Sequence, residues 1–223
     1  MKRNFKIVLT LLLTLAMLAC LAGCGAVFTS ASANNSGGSG AGGNSAPDTY
    51  TPPALDESLT YFADIDIEGY GMITVQLDQA AAPVTCANFV ELAESGFYDG
   101  LTFHRIMAGF MMQGGDPQGD GFGGSDNNIF GEFKSNGFEN NLSHIRGVIS
   151  MARAAAPNSA SSQFFICHAD SEFLDGDYAA FGFVTEGIEV VDAVCAAAQP
   201  TDRNGTIPPE AQPVMNSVTI RTE

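Results

Sequence analysis

Apolar and polar residues alternate from Tyr61 to Ile67 and again from Met72 to Leu77, on either side of Glu68-Gly69-Tyr70-Gly71. That pattern predicts a β-hairpin. Shorter strands are predicted at Leu101 to Arg105, Phe110 to Gln113, Gly147 to Ala152, Gln163 to Ala169 and Ala180 to Val184. The last strand is expected from Val214 to Arg221, with Val214, Asn216, Val218 and Ile220 on one face. Pro83 can open a helix at its first turn and Gly96 can close it, and a second helix is predicted from Glu186 to Ala197. Many short strands and only two helices argue for an antiparallel barrel or sandwich. The glycine-rich stretch from Gly114 to Gly131 fits neither period and reads as a functional or a mobile surface loop.

The chain before the hairpin has a different character. Lys2, Arg3 and Lys6 precede an apolar run from Ile7 to Ala19 that is short for a bilayer span, which reads as an export signal over residues 1–23. Leu21-Ala22-Gly23-Cys24 resembles the lipobox of bacterial lipoproteins, a family in which the signal is cut before the cysteine and the thiol carries the lipid. The competing reading is an ordinary secretory signal in which Cys24 is incidental. Cys20 fits the box less well. Residues 24–53 are Gly, Ser, Ala, Asn and Pro with almost no large apolar side chain, so a flexible tether is expected, with a reach of roughly 30 Å. Residues 54–223 are enough for one domain with a sizeable core.

Loss of residues 1–23 removes three of nine basic residues and none of 25 acidic ones, leaving six against 25 and a net charge of −19. Such a surface repels phosphate backbones, so nucleic acid is not an expected partner. It also repels anionic headgroups, so membrane attachment has to come from the lipid. Cys86, Cys167 and Cys195 each continue an apolar pattern and read as small buried residues. One disulfide among them stays open, with no pair indicated.

His104, His144 and His168 lack ligand spacing and no CxxC occurs, so no metal is expected. There is no GxSxG and no GxxxxGK[ST]. Gly121-Phe122-Gly123-Gly124 lacks the strand-to-helix context of a phosphate site and reads as a loop. Arg105 is one of the few basic residues and lies near Phe110, Met111, Met112 and Phe165 in the pattern. It is either a surface ion-pair residue or a donor beside an apolar pocket. Gln163 has the same ambiguity; on a strand it shares a face with Phe165, while Phe164 and Ile166 share the other.

FHRI, GFMMQGGDP, GEF, RGVISMAR, PNSASSQFFI, FLDG and AFGFV stand in the order and spacing found in the cyclophilins, the peptidyl-prolyl cis-trans isomerases. The resemblance covers essentially all of residues 60–221, and the long loop from Ala154 to Ser162 is similar to that of the bacterial branch. It implies a mostly β fold: an eight-stranded antiparallel closed barrel capped by two helices. Arg105 matches the family's catalytic arginine. Phe110, Met111, Phe165 and Leu174 match the proline-pocket walls, and Gln113 and Gln163 the polar groups beside it. Ala152 and Arg153 lie where the family pairs substrate backbone, and Gly121 to Gly124 match a loop beside a neighbouring specificity pocket. Phe173 stands where many members carry tryptophan, Tyr178 where many carry histidine, Ala108 at a frequent proline and Arg153 at a frequent asparagine. Phe173 lacks an indole donor, which puts tight cyclosporin binding in doubt.

The resemblance implies a cofactor-free isomerase of X-Pro bonds, and with the export signal and lipobox the expected protein is a monomer acting on proline-containing segments of exported proteins from the outer face of the cell membrane. Two other readings stay open. One is a non-catalytic binder of proline segments, a chaperone or scaffold. The other is a transporter's solute-binding lipoprotein, whose usual two α/β lobes fit the β-rich pattern poorly.

Overall fold

The alternating segments form eight antiparallel strands and the two periodic segments form helices. In chain order these are β1 (Tyr61–Ile67), β2 (Gly71–Leu77), α1 (Pro83–Glu94), β3 (Thr102–Met107), β4 (Met111–Asp116), β5 (Val148–Met151), β6 (Phe164–Cys167), β7 (Ala180–Glu186), α2 (Ile188–Ala197) and β8 (Met215–Thr222). The computed structural model describes residues 49–223. The expected signal at 1–23, Cys24 and the tether as far as residue 48 lie outside the described residues.

The strands make one curled sheet in the order β3-β4-β6-β5-β7-β2-β1-β8. The two ends of the sheet meet at a single bridge between Thr102 of β3 and Val214, the residue before β8. Around that bridge Phe103 donates its N–H to Pro213 O at 2.9 Å and Met215 donates to Leu101 O at 2.8 Å. No continuous ladder closes the sheet there. Pro213 has no N–H to give, and further along β3 the loop around Gly205 takes the free edge instead. Ile106 donates to Gly205 O at 2.8 Å and Ile207 to His104 O at 2.9 Å.

One face of the sheet holds the main core. Ile65, Ile73, Val75, Phe103, Ile106, Met112, Phe164, Ile166 and Phe181 belong to a single buried cluster with Phe89 of α1 and Val191 of α2. Phe89 lies 5.0 to 5.5 Å from the rings of Tyr98, Phe164 and Phe181, so α1 is anchored by aromatic contacts. The helix ends as its sequence predicts. Gly96 takes φ 73°, its N–H bonds Ala93 O at 3.0 Å, and the Phe97 N–H bonds Leu92 O at 3.0 Å.

The start of α1 is less usual. Pro83 sits in the first turn, Ala82 offers no capping side chain, and no acidic residue lies in that turn. The cap comes from far along the chain. Fully buried Glu132 accepts from the Val84 N–H (2.9 Å), the Thr85 N–H (2.8 Å) and the Thr85 hydroxyl (2.7 Å). Contacts with the domain also begin before residue 54. Tyr50 donates its N–H to Asn128 O and its hydroxyl to Glu91, both at 2.8 Å, and Pro52 is buried.

Candidate active site

Arg105 reaches its place through an irregularity in β3. Phe103 and Ile106 are three residues apart yet both belong to the main core, which strict two-residue alternation forbids. The register with β4 shifts between Phe103 and Arg105, leaving His104 as the extra residue of a β-bulge. Arg105 and Met107 are thereby turned to the opposite face. Gly114, opposite Phe103, has to be glycine, because a Cβ there would come within 2.7 Å of Thr102 O and 2.9 Å of the Phe103 ring.

A second, smaller apolar cluster occupies that opposite face. Met111, Phe165, Cys167 and Leu174 are buried in it, with Met107, Phe110, Ala152 and Tyr178 packed half-exposed around them. The period of two sorts β4 and β6 cleanly. Met111 and Phe165 go to this cluster while Met112, Phe164 and Ile166 go to the main core. Met112, expected near the arginine, is thus a core residue. Phe110, Met111, Phe165 and Leu174 do come together as apolar walls.

The polar side chains form one line along the cluster. Arg105 Nε donates to Asn204 O at 2.7 Å and Nη1 donates to Gln113 Oε1 at 3.1 Å. Gln113 Nε2 donates to Gln163 Oε1 at 2.8 Å, and Gln163 Nε2 donates to Gly123 O at 2.7 Å and Gly121 O at 3.1 Å. Arg105 Cζ stands 6.0 Å from the centre of the Phe110 ring. Burial pushes the guanidinium pKa down from its usual value, with Tyr178 and Asp202 opposing. It stays a cation. Nη2 also donates to Met107 Sδ at 3.4 Å, so all three nitrogens have a protein partner and the N–H groups not used in these bonds are held in a set direction.

Behind Phe165 lies a network that sequence inspection missed, with His144 and Ser150 buried and Asp175 exposed at its outer end. The His144 ring is stacked on Phe165 with centroids 6.0 Å apart and planes 17° from parallel. His144 Nδ1 bonds Asp175 at 2.8 Å and Nε2 bonds Ser150 Oγ at 2.9 Å. Burial lowers the His144 pKa against the opposing effect of Asp175, so the neutral ring donates from Nδ1 and accepts the Ser150 proton. With Ser150 and His144 both buried, the network braces the pocket wall and offers no nucleophile to solvent. No local pattern marks these three residues, because the sheet brings them together. Asn204 was missed because it acts through its backbone carbonyl, which no side-chain pattern marks.

The rim shows how the residues departing from the cyclophilin pattern are used. Phe173 is 70% exposed and packs on Phe110 at 5.5 Å between ring centres. Tyr178 meets Phe165 edge-on at 6.1 Å. The Arg153 guanidinium lies between the rings of Phe133 (4.9 Å) and Tyr178 (4.8 Å) and donates to Asp177 O and Ala154 O. Ala152 uses its own N–H on Gln163 O at 2.9 Å. Beyond Gln113 and Gln163 opens a cavity of about 490 Å³, bordered by Gly121, Phe122, Ser161 and Arg153.

An apolar pocket beside an oriented cation and a row of amides defines a site that works by shape and hydrogen bonding on an apolar group carrying an amide. Comparison with known proteins agrees. The family model for cyclophilin type peptidyl-prolyl cis-trans isomerases matches residues 62–221. The chain belongs to that family and is a peptidyl-prolyl cis-trans isomerase. It is 48% identical over 122 residues to a peptidyl-prolyl cis-trans isomerase-like 1 of Rhizopus delemar, spanning 54% of this chain and 72% of that relative. It is 44% identical over 126 residues to a peptidyl-prolyl cis-trans isomerase of Helicobacter pylori, 56% of this chain and 75% of that one. The crystal structure of a Cryptosporidium parvum cyclophilin type isomerase, determined in the presence of the dipeptide Ala-Pro, superposes with a TM-score of 0.63 at 30% identity. It covers 73% of this chain and 99% of its own.

Proposed function

We propose that this isomerase is a lipid-anchored foldase acting on exported proteins at the outer face of the cell membrane, and that Arg105 is its transition-state donor. The X-Pro amide resists rotation because resonance imposes a barrier of about 18–20 kcal/mol. In the twisted state resonance is lost and the prolyl nitrogen becomes a hydrogen-bond acceptor. A donor fixed where that nitrogen arises binds the transition state more tightly than either planar isomer. The line Arg105–Gln113–Gln163 above an apolar wall is the observation that carries this reading. Phe110, Met111, Phe165 and Leu174 hold the proline ring, Gln113 orients the guanidinium, and Phe173 and Tyr178 form the pocket rim. Ala152, Arg153 and Gly121 flank the rest of the bound segment. Bonds across the β3–β8 seam support treating the curled sheet as a closed barrel in which Arg105 has a rigid base.

The residues are tested by NMR exchange on an Ala-Pro peptide with the full chain. Arg105→Ala is expected to lower the catalysed rate about 100-fold or more, the usual scale for one lost transition-state donor. Full turnover would refute the assignment, and peptide binding without turnover by the unaltered chain would favour the binding-module reading. Anchoring is tested by fractionating cells that express the chain. Cys24→Ser is expected to leave the membrane fraction, and retention there would refute lipidation at Cys24.

A further inference from the structure

Arg105 Nε is held by a backbone carbonyl, Asn204 O, and a carbonyl keeps its direction only as well as its loop is held. Asn204 lies in the loop 201–206, between α2 and β8. The side of that loop facing the sheet is clamped to β3. Thr206 bridges Arg105, flanked by the bonds from Ile106 N–H to Gly205 O and from Ile207 N–H to His104 O. Gly205 sits at φ 89°, and a Cβ there would come within 2.5 Å of Met107 Cγ and 2.8 Å of Ile106 O.

On the solvent side one exposed carboxylate gathers the turn. Asp202 Oδ1 accepts from the Asn204 N–H at 2.9 Å and from the Thr206 N–H at 3.1 Å, and Oδ2 accepts from the Thr206 hydroxyl at 2.9 Å. The Thr201 N–H closes the loop on Thr206 O at 2.8 Å. These donors, the Thr206 N–H foremost, hold the Asp202 carboxyl below the ordinary carboxylate range. Asn204 O and the Gly205 N–H belong to one planar peptide and point in opposite directions. That N–H faces Asp202 O at 3.4 Å, which turns Asn204 O toward Arg105. We propose that Asp202 is a positioning residue for the isomerase reaction: its carboxylate fixes the turn whose Asn204 carbonyl aims the Arg105 guanidinium at the twisted amide. The role rests on Arg105 being the transition-state donor. With the turn loosened, the guanidinium spreads over several directions and only a fraction of them meet the prolyl nitrogen. The apolar walls that bind the ring lie elsewhere, so the loss falls on turnover and spares binding.

NMR exchange on the Ala-Pro peptide at a series of peptide concentrations, with the full chain, separates kcat from KM. Asp202→Ala is expected to lower kcat about tenfold and to leave KM within about twofold, a part of the roughly 100-fold loss expected for Arg105→Ala. Asp202→Asn should recover kcat to within about twofold. Its Oδ1 still accepts from both N–H groups and its Nδ2 donates to the Thr206 hydroxyl oxygen, while the charge it removes is exposed and screened by salt. Adding Asp202→Ala to Arg105→Ala should cost nothing further, because the residue acts through the arginine. Full kcat in Asp202→Ala, a loss carried by KM alone, an Asn variant as impaired as the Ala variant, or a further tenfold loss in the double variant would each overturn the proposal. Full turnover by Arg105→Ala would overturn the donor and its positioning together, whereas full turnover by Asp202→Ala alone leaves Arg105 standing.

Discussion

Replacing Glu132 by alanine removes the only side-chain cap of α1 and leaves three donors without their acceptor. Two of these, the Thr85 N–H and hydroxyl, belong to a fully buried residue, whereas Val84 is half-buried and can turn to water. An unsatisfied buried donor costs about 1–3 kcal/mol. Relief from burying the carboxylate offsets part of that, which leaves a net loss of about 2–4 kcal/mol. In a domain of this size that lowers Tm by about 6–12 °C. Glu132→Gln keeps one acceptor oxygen but turns an amide N–H₂ toward a donor, so a smaller loss of about 1–2 kcal/mol is expected. Urea titration with a common m value measures both. Burial raises the Glu132 pKa from its ordinary 4.5, and the bonds from Thr85 and Val84 only partly oppose it. The folded state therefore holds this proton more tightly than the unfolded state. The contribution is fully present below the unfolded value and is lost as pH rises through the higher folded one. The stability of the unaltered protein minus that of Glu132→Gln should accordingly fall as pH rises above about 4.5. A loss below 1 kcal/mol for Glu132→Ala, or a difference that grows with pH over that range, would refute the reasoning.

Gln163→Leu removes the donor to Gly121 O and Gly123 O and frees Gln113 to rotate, so Arg105 loses its fixed direction. Catalysed exchange should drop about tenfold, while urea titration shows a loss of only about 1–2 kcal/mol, since the bonds are partly exposed. Gly123→Ala drives a methyl group into the Asp116 carboxylate and is expected to destabilise by about 1–3 kcal/mol in the same titration.

The regular part of the fold was legible because the pattern and the packing agree. The hairpin of β1 and β2 and the end of α1 at Gly96 follow from alternation and a left-handed glycine. Gln163 and Phe165 share a face, as alternation requires. Strand ends were less visible. β4 runs on to Asp116 because Gly114 and Gly115, which have no side chains to show a period, pack their backbone against Phe103 and Phe164. The orientation of Arg105 could not be read from spacing, since one inserted residue at His104 reverses the faces of everything after it. The segment from Gly114 to Gly131 is held by the Asp116 and Gln163 side chains, a long-range arrangement that glycine content alone does not reveal. Tyr50 looked like tether by its neighbours' composition, but a bridge to Ile129 holds it.

The pocket and the main core occupy opposite faces of the same strands, with Met111 and Phe165 in one cluster and Met112 and Phe164 in the other. Side chains separated in this way share few partners, so the effects of changing them should add nearly independently. The isomerase can therefore exchange pocket and rim residues without rebuilding the interior that holds its shape. Phe173, Tyr178 and Arg153, which depart from the common cyclophilin pattern, all sit outside the main core. Reshaping of the pocket and upkeep of the fold are thus assigned to separate surfaces of one sheet.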